Sequence, residues 1–403
     1  MSGWRIFLVF LGIDALVLFL ESGGISISYR EARTFYESDS LLHLLIQGSV
    51  ALFGQTDLSL RLPTITMHLL SALLFFEISG RYLKRESDRL WLVAIFMLLP
   101  GVSSSALLVD NSALVILILL LFVYFWEWRQ WAAMALAVPA LCIDGAFSPL
   151  YLGLFAYGLY RRDRLLIAST PILFALSLYL HGFDAHGTPK GHFLDTLGLY
   201  AVIFSPIVFI YLVYTLFRHY VLKHFSLLWF LATVPLLLSL LLSFRQVLEI
   251  QVFAPYLILA MPLAARSFFH SYRVRLKIYR QQYRLIFGVS LALLIVNALL
   301  VFFNKEVYLF LQPNQKHFAH RQHVAKELAQ ALKARGIDCV DSDDPRMQLR
   351  LRFYGIGECL EHRMREGSCP EGENVTISYS RYVAYRANVT DIPKNTDSYP
   401  SEP

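Results

Sequence analysis

The stretch Ala113–Phe125, ALVILILLLFVYF, decides the fold, because it consists of apolar and aromatic residues alone. Leu227–Leu242 and Leu285–Phe303 are two further stretches that apolar residues dominate. A helix of roughly 20 such residues spans a hydrocarbon layer of about 30 Å. The whole chain of 403 residues is 56% hydrophobic and only 16% charged, whereas soluble domains carry roughly a quarter charged residues. The composition therefore predicts an integral membrane protein.

Eleven apolar segments are predicted to be transmembrane helices. The first has no small-residue cleavage site, so we predict a retained anchor rather than a signal peptide. The predicted fold class is an all-α polytopic membrane domain, residues 1–303, followed by a small C-terminal extracytoplasmic α/β domain, residues 304–403. The predicted spans lie near 4–21, 61–80, 88–102, 108–126, 131–146, 148–160, 165–181, 196–216, 225–243, 250–265 and 285–303.

The net charge of +6 is accounted for by the predicted topology. With the N-terminus in the cytoplasm, the inner segments contain 17 Lys and Arg residues and the outer loops contain five. This is the bias of the positive-inside rule, so nucleic acid is not expected as a partner. The chain has no Walker loop and no GxGxxG after a strand, so ATP hydrolysis and dinucleotide binding have no support. The five outer residues are Arg30, Arg33, Arg61, Lys190 and Arg245.

The first outer loop, residues 22–60, is long enough to contain structure of its own. Ser40–Phe53 has the pattern of an amphipathic helix, which Asp39 can cap and Gly54 can end. Such a helix is expected to lie in the membrane interface with its apolar side toward the lipid. The first outer loop is therefore predicted to contain interfacial helices.

The tail changes character after Asn304 and is predicted to be a small α/β domain. Helices are expected over His317–Arg335, which Gly336 ends, and from Asp344 to Tyr354. Strands are expected at Ile337–Val340, Val375–Ser380 and Tyr382–Tyr385.

Three of the four cysteines lie in this tail, on the side of the membrane where disulfides persist: Cys339, Cys359 and Cys369. One bridge, such as Cys359–Cys369, leaves an odd thiol, and three free thiols are the alternative. Sequence alone does not fix the pairing.

Glu31 is the first candidate for chemistry. It follows the first span, on the outer side, and Arg30 and Arg33 flank it. A partly desolvated carboxylate there suits a general base, and the arginines match phosphate geometry. The alternative is a salt bridge at the level of the lipid headgroups.

Asp110 and Arg245 are the next candidates on the outer side. Asp110 precedes a long apolar helix, so it is either a second catalytic acid or a simple N-cap, a role that Ser112 could also take. Arg245 lies in a short loop with Glu249 and either neutralises a lipid phosphate or is a snorkelling interface arginine.

Weaker candidates are Asp14 and Asp144, because carboxylates within membrane spans are costly and often functional. A hydrogen bond to a neighbouring Ser or Tyr would satisfy Asp14 equally well. A polar outer loop also offers four candidate zinc ligands, whose spacing matches no closed zinc site: His181, Asp184, His186 and His192.

Four segments, taken in order over roughly residues 1–265, resemble the glycosyltransferase C superfamily. The closest likeness is to the branch that contains protein O-mannosyltransferases and bacterial lipid A aminoarabinose transferases. The segments are Glu31 in ISYREARTFYE, Phe53-Gly54 with Arg61-Leu62-Pro63 in ALFGQTDLSLRLPTI, Asp110 in LPGVSSSALLVDNSALVI, and FRQVLEIQVFAPYLILAMPLA. Many members carry adjacent Asp-Glu where this chain has Arg30 before Glu31. The resemblance implies a helical membrane domain with its site in an outer cavity, and a lipid-phosphate sugar as donor.

The predicted function is that of an inverting membrane glycosyltransferase, a hexosyl- or pentosyltransferase using a polyprenyl-phosphate sugar. The acceptor is expected to be a lipid, a glycan or a protein. Glu31 and Asp110 are the predicted catalytic residues. The predicted ligands of the lipid phosphate are Arg245, Arg30, Arg33 and Lys190.

Two other functions stay open at this stage. They are a transporter or flippase of a lipid-linked glycan and a catalytically inactive scaffold of the same fold. No cofactor is firmly implied, and a divalent metal stays open. The expected location is a bacterial inner membrane, with the N-terminus cytoplasmic and the tail periplasmic.

Overall fold

The computed structural model describes residues 3–182, 191–302, 324–367, 373–379 and 382–391. By their contacts, these residues form two compact units. The membrane unit comprises the described residues within Met1–Phe19, Ser40–Leu45 and Arg61–Phe302. The loop–tail unit comprises the described residues within Leu20–Asp39, Ile46–Leu60 and Phe303–Pro403. By its contacts, much of the first outer loop therefore belongs to the same unit as the C-terminal tail.

Sixteen helices precede the tail in the described ranges. They are α1 Gly3–Ser22, α2 Tyr29–Glu37, α3 Leu41–Phe53, α4 Asp57–Tyr82, α5 Glu86–Leu98, α6 Pro100–Leu107, α7 Asn111–Trp128, α8 Gln130–Ile143, α9 Ser148–Arg161, α10 Arg164–His181, α11 Phe193–Phe204, α12 Pro206–Val221, α13 Leu227–Leu242, α14 Ile250–Leu257, α15 Met261–Val274 and α16 Lys277–Phe302. The helix predicted over Ser40–Phe53 is confirmed as α3, and α2 was not predicted.

Six of the described helices are long and apolar enough to cross a membrane, or up to eight if each of two bent pairs is one span. Shorter apolar helices include α8 and α13. The predicted spans 88–102 and 196–216 are not continuous helices. The pair α5–α6 bends by 57° and the pair α11–α12 by 106°.

A proline follows each of the two breaks. Leu99 before Pro100 is extended, and Ser205 before Pro206 has a φ of +63°. Proline disfavours helical backbone in the residue before it, so both bends have a local cause in the sequence. The helix α6 covers residues 103–107, which lie between the predicted spans 88–102 and 108–126.

Two ends of the membrane unit can be identified from side-chain contacts near the ends of its helices. At the basic end, Arg81 pairs with Glu127 across 2.7 Å, and Arg273 pairs with Asp88. At the other end, which we call the Asp110 end, α7 begins after its N-cap residue Asp110. Because α7 has 18 residues, the two ends lie about 27 Å apart along this helix.

The tail forms a small α/β fold. Its elements are α17 Val324–Lys333, β1 Asp341–Ser342, α18 Pro345–Phe353, β2 His362–Glu366, β3 Glu373–Tyr379 and β4 Tyr382–Asp391. The sheet order is β1-β2-β4-β3, with β1 and β2 parallel and the other pairs antiparallel. Helices α17 and α18 pack with the sheet around an apolar core that includes Leu328, Leu351, Met364, Val375 and Ala387. The predicted fold class, a helical membrane fold with a small C-terminal α/β region, is confirmed.

Several details of the tail were predicted correctly. Asp344 caps α18, where its side chain accepts from the Arg346 N–H at 3.0 Å. Gly336, with a φ of +77°, follows α17, and glycine adopts this left-handed backbone without steric cost.

Other details of the tail were wrong. The strand predicted over Ile337–Val340 is replaced by β1 at Asp341–Ser342, and β4 continues past Tyr385 to Asp391. The disulfide joins Cys339 to Cys359, because a backbone bridge between Cys339 and Gly357 brings these segments together. Cys369 lies outside the described residues.

Candidate functional site

Glu31 lies in the first turn of α2, where Ser28 is the N-cap. The Ser28 Oγ accepts from the Glu31 N–H at 3.3 Å, and the Glu31 carboxylate accepts from the Ser28 N–H at 2.7 Å. This reciprocal capping box is typical of Ser-x-x-Glu at a helix start. Only 2% of the Glu31 surface is exposed. The carboxylate is therefore held in one orientation by the start of its own helix.

Helix α18 of the tail packs against α2. Between them lies Arg350, whose Nε donates to the Ile27 carbonyl at 2.8 Å. Burial lowers the pKa of the Arg350 guanidinium from its ordinary value, and the charge of Glu31 is among the interactions that raise it. Within the described ranges, the buried Nη2 of Arg350 has no hydrogen-bond partner. A buried cation thus stands close enough to act on the Glu31 carboxylate.

Two more arginines of α18 contact the aromatic residues of α2. Arg346 lies 5.5 Å from the ring centroid of Tyr29, and Arg352 lies 4.6 Å from that of Tyr36. Cations over aromatic faces are attracted by the ring quadrupole. Burial raises the pKa of the Tyr36 hydroxyl. Both ends of α2 are therefore held by α18.

Tyr354 ties the first outer loop to the tail a second time. Its hydroxyl donates to the Asp57 carboxylate at 2.6 Å and accepts from the Ile27 N–H at 2.8 Å. The second carboxylate oxygen of Asp57 pairs with the Lys326 Nζ at 2.6 Å, and Lys326 also donates to the Gly23 carbonyl at 2.8 Å. Tail residues thus hold the backbone before Glu31, at Gly23 and Ile27, and the side chain of Asp57 after it.

Arg30 and Arg33 lie on the exposed side of α2. The Arg33 side chain pairs with Glu37 one turn later, across 3.4 Å. Exposed pairs at this spacing contribute little to stability. Both arginines therefore have their guanidinium groups at the surface of the loop–tail unit.

Asp110 is half-buried in the membrane unit, and its side chain caps α7 by accepting from the Ser112 N–H at 2.7 Å. The capping alternative is therefore correct as a structural description. The other carboxylate oxygen accepts from the Gln251 Nε2, in the first turn of α14, at 3.1 Å. Asp110 thus joins the starts of α7 and α14.

A second acid stands beside Asp110. Asn111 donates a side-chain hydrogen bond to Asp144, and Asp144 accepts from the Ala146 N–H at 2.7 Å. The Tyr256 hydroxyl donates to the Ala146 carbonyl at 2.7 Å. The structure therefore assembles a polar cluster at the Asp110 end, which consists of Asp110, Asn111, Asp144 and Gln251.

Arg61, part of the Arg-Leu-Pro stretch, is fully buried at the start of α4. Its Nε donates to the Leu107 carbonyl at 2.7 Å, and the Thr64 hydroxyl donates to the Ala106 carbonyl at 2.9 Å. Both acceptors lie at the end of α6, just before Asp110. Arg61 therefore supports the segment that carries Asp110.

Arg245 is exposed in the turn between α13 and α14. This turn is fixed to the start of α11, because the His192 N–H donates to the Ser243 carbonyl at 3.0 Å and Phe193 stacks on Phe244 at 4.9 Å. The other predicted phosphate ligand, Lys190, lies outside the described residues, as do Asp184 and His186.

The predicted site residues fall into both units. Glu31, Arg30 and Arg33 belong to the loop–tail unit, and Asp110 and Arg245 belong to the membrane unit. That Glu31 and Asp110 converge stays a prediction. Within the described ranges, no group of three His, Cys, Asp or Glu residues could hold a metal ion.

Sequence reasoning missed Arg350 and Tyr354 and the contacts that they make with the first outer loop. No local pattern pointed to them, because their partner Ile27 lies more than 300 positions away. It also missed Asp14 pairing with His68, whose Nε2 lies 2.7 Å from the Asp14 carboxylate.

The fold defines a class: an integral membrane protein of apolar helices with a small C-terminal α/β region. In sequence, the chain matches no protein-family model and no curated protein. In structure, it is similar to a crystal structure of ArnT from Cupriavidus metallidurans in the apo state. The TM-score is 0.58 at 13% sequence identity, over 96% of this chain and 98% of that chain. The likeness shows a shared fold.

Proposed function

We propose that the chain is an integral-membrane glycosyltransferase that moves a sugar from a polyprenyl-phosphate donor to a lipid, glycan or protein acceptor. The observation that carries this proposal is the ArnT-like fold over 96% of the chain. ArnT is a lipid A aminoarabinose transferase with the glycosyltransferase C fold. A fold shared at low identity is an analogy for function, so residues of this chain must supply the chemistry.

In the proposed reaction, Glu31 orients or deprotonates the acceptor. The acceptor oxygen forms a bond to the anomeric carbon as the bond from that carbon to the phosphate oxygen breaks, and the phosphate leaves with the electron pair. Attack from the opposite side inverts the anomeric configuration. The proton of an acceptor hydroxyl goes to Glu31, whereas a phosphate acceptor only has to be oriented. The rigid capping box supports this role, because catalysis requires a held geometry.

The remaining predicted residues take the two other tasks. Asp110, with Gln251 bonded to its carboxylate, positions the acceptor. Arg30, Arg33, Arg245 and Lys190 remain the proposed candidate ligands of the donor phosphate, because the positive charge of such a ligand stabilises the departing group. The excess of basic residues in the predicted inner segments supports an orientation with this chemistry outside the cytoplasm.

The experiment that tests this function deletes the gene in its host and compares surface molecules by mass spectrometry. Lipid A, surface polysaccharide and exported proteins are analysed in the deletion strain and after complementation with the wild-type chain or with Glu31→Gln. A sugar mass that is lost, returns with the wild type and stays absent with Glu31→Gln supports the proposal. Full restoration by Glu31→Gln contradicts the catalytic role of this acid.

The same strains separate the two rival functions. A transporter of lipid-linked glycan would leave the intact donor on the cytoplasmic side of the deletion strain. A scaffold would leave the sugar content of every fraction unchanged by the substitution. Either result contradicts a transferase.

A further inference from the structure

Two adjoining cavities lie in the membrane unit between α5, α12, α15 and α16. The larger, of about 240 Å³, is apolar, and Leu92, Leu212 and Leu294 are among the residues that line it. The second, of about 200 Å³, shares its aromatic wall with the first. The shared residues are Phe268, Phe269, Tyr283 and Phe287. The two cavities therefore adjoin each other at this aromatic wall, and we call them together the cleft.

The second cavity gives this cleft a cationic and aromatic mouth. Arg284, Trp91 and Tyr272 line it in addition to the shared wall. Tryptophan and tyrosine are enriched where a membrane protein meets the lipid headgroups. The apolar cavity and its mouth thus match the two parts of a lipid, a hydrocarbon chain and a charged headgroup.

The segment that contributes Arg284 to the mouth is strongly basic. Residues 250–304 contain no Asp or Glu, whereas 266–284 contain six basic residues. Among these six, Arg273 pairs with Asp88, Arg280 donates to the carbonyls of Arg273 and Arg275, and Arg275 lies 4.5 Å from the Tyr283 ring centroid. The exposed Arg284 adds a further cation at the mouth. An anionic headgroup is the complementary ligand.

The second cavity lies toward the basic end, because Trp91 and Arg284 line it from the first two turns of α5 and α16 and Tyr272 from the last turn of α15. Arg218 near the end of α12 donates to the Ser267 hydroxyl of α15 at 2.9 Å. The Asp110 end lies at the other end of α7. A lipid with its phosphate at Arg284 therefore has its headgroup in the leaflet opposite the proposed transfer chemistry, which argues for a resident membrane lipid rather than the sugar donor.

We propose that this cleft binds an anionic diacyl phospholipid of the leaflet at the basic end. One acyl chain fills the apolar cavity. The side chains that line the cavity would lack dispersion contacts on that side if it were empty. The phosphate lies at the mouth beside Arg284. The choice of a resident lipid over the sugar donor rests on the proposed function, whereas the binding of a lipid in this cleft is measured without turnover.

Native mass spectrometry of the purified full chain in neutral detergent tests the proposal. Phosphatidylglycerol and phosphatidylcholine with identical acyl chains are titrated separately. The wild type is expected to retain phosphatidylglycerol with an apparent Kd about fivefold lower, the effect of one cation near a membrane surface. Arg284→Gln is expected to remove most of this preference. Arg129→Gln is the matched control, because Arg129 is an exposed arginine at the same end but does not line the cleft.

A second variant tests the chain-binding part. Ala265→Phe fills the apolar cavity and is expected to weaken the retention of both lipids, with an unchanged Tm in detergent alone. Equal retention of the two lipids by the wild type, or an unchanged preference in Arg284→Gln, would overturn the proposal. So would polyprenyl phosphate displacing phosphatidylglycerol at equal concentration, which would assign the cleft to the donor.

Discussion

Glu31 and Asp110 are both acids at a helix start, yet their surroundings differ. Glu31 is almost fully buried, and residues of the tail hold the backbone that precedes it, at Ile27. Asp110 is half-buried, and its cap on α7 is a contact with the next turn of the chain. The position of one carboxylate depends on contacts across the whole sequence, and that of the other on local backbone with one bond to Gln251.

Each acid has to be tested by a substitution that keeps its structural hydrogen bond. Both carboxylates accept such a bond at a helix start, so a variant without the side chain would lose the helix cap and any catalytic function together. The amide variants separate them. Glutamine accepts the same bond at the third helical position, and asparagine caps a helix as well as aspartate does. Only the charge is lost.

The largest effect is expected from Glu31→Gln. Loss of a general base lowers a rate by about 10² to 10⁴, so transfer by the purified enzyme is expected to fall about a thousandfold. The matched control is Ser28→Ala, which removes the cap at a cost of about 1 kcal/mol of stability but keeps the carboxylate. If Ser28→Ala lowers transfer more than Glu31→Gln does, Glu31 acts only as a capping residue.

The next effect concerns the tail contacts of α2. Arg350→Met removes the buried positive charge that acts on Glu31 and is expected to destabilise the α2 region by about 3 kcal/mol. Backbone amides of α2 should then exchange with deuterium roughly a hundredfold faster, because local opening limits their exchange. The measurement is hydrogen–deuterium exchange followed by mass spectrometry of the α2 peptide.

Arg352→Met is the control for this change. Arg352 lies two positions further along α18 but is exposed, and it contacts the Tyr36 ring. Such a contact is worth about 0.5–1 kcal/mol at an exposed site, so exchange should rise less than tenfold. Equal exchange in the two variants would show that the buried charge of Arg350 does not hold α2.

Asp110→Asn is expected to have a smaller effect than Glu31→Gln. The cap on α7 is kept, so the Tm should not change, and an acceptor that is held less well should raise the KM about tenfold. Gln251→Leu removes the amide that donates to Asp110 and serves as the paired variant. A fall of kcat by a thousandfold in Asp110→Asn would instead make Asp110 the base.

The sequence predicted the local features of both regions better than it predicted their assembly. The cap of Asp110 on α7 and that of Asp344 on α18 follow from residue type and position, and both are present. The breaks before Pro100 and Pro206 could also have been predicted, since proline restricts the residue before it. We predicted continuous spans there because the sequence is apolar on both sides of each break.

The contacts that bury Glu31 had no such signal. Ser28 and Glu31 have the Ser-x-x-Glu spacing of a capping box, and this local pattern could have predicted that Glu31 lies in the first turn of a helix. Arg350 and Tyr354 look like ordinary residues of an amphipathic tail helix, and their pairing with Ile27 is set by tertiary packing alone. The same limit applies to the disulfide, whose partners are decided by the bridge between Cys339 and Gly357.

The smallest effect is expected at the exposed side of α2. Arg33→Gln removes an ion pair with Glu37 in which both side chains are mostly exposed, so stability should change by less than about 0.5 kcal/mol. If the guanidinium holds the donor phosphate, the KM for the donor should rise about fivefold without a change in kcat. Glu37→Gln removes the same ion pair and leaves the arginine in place, so its KM should equal that of the wild type. An equal rise of KM in both variants would mean that the ion pair, and not the guanidinium, matters to the donor.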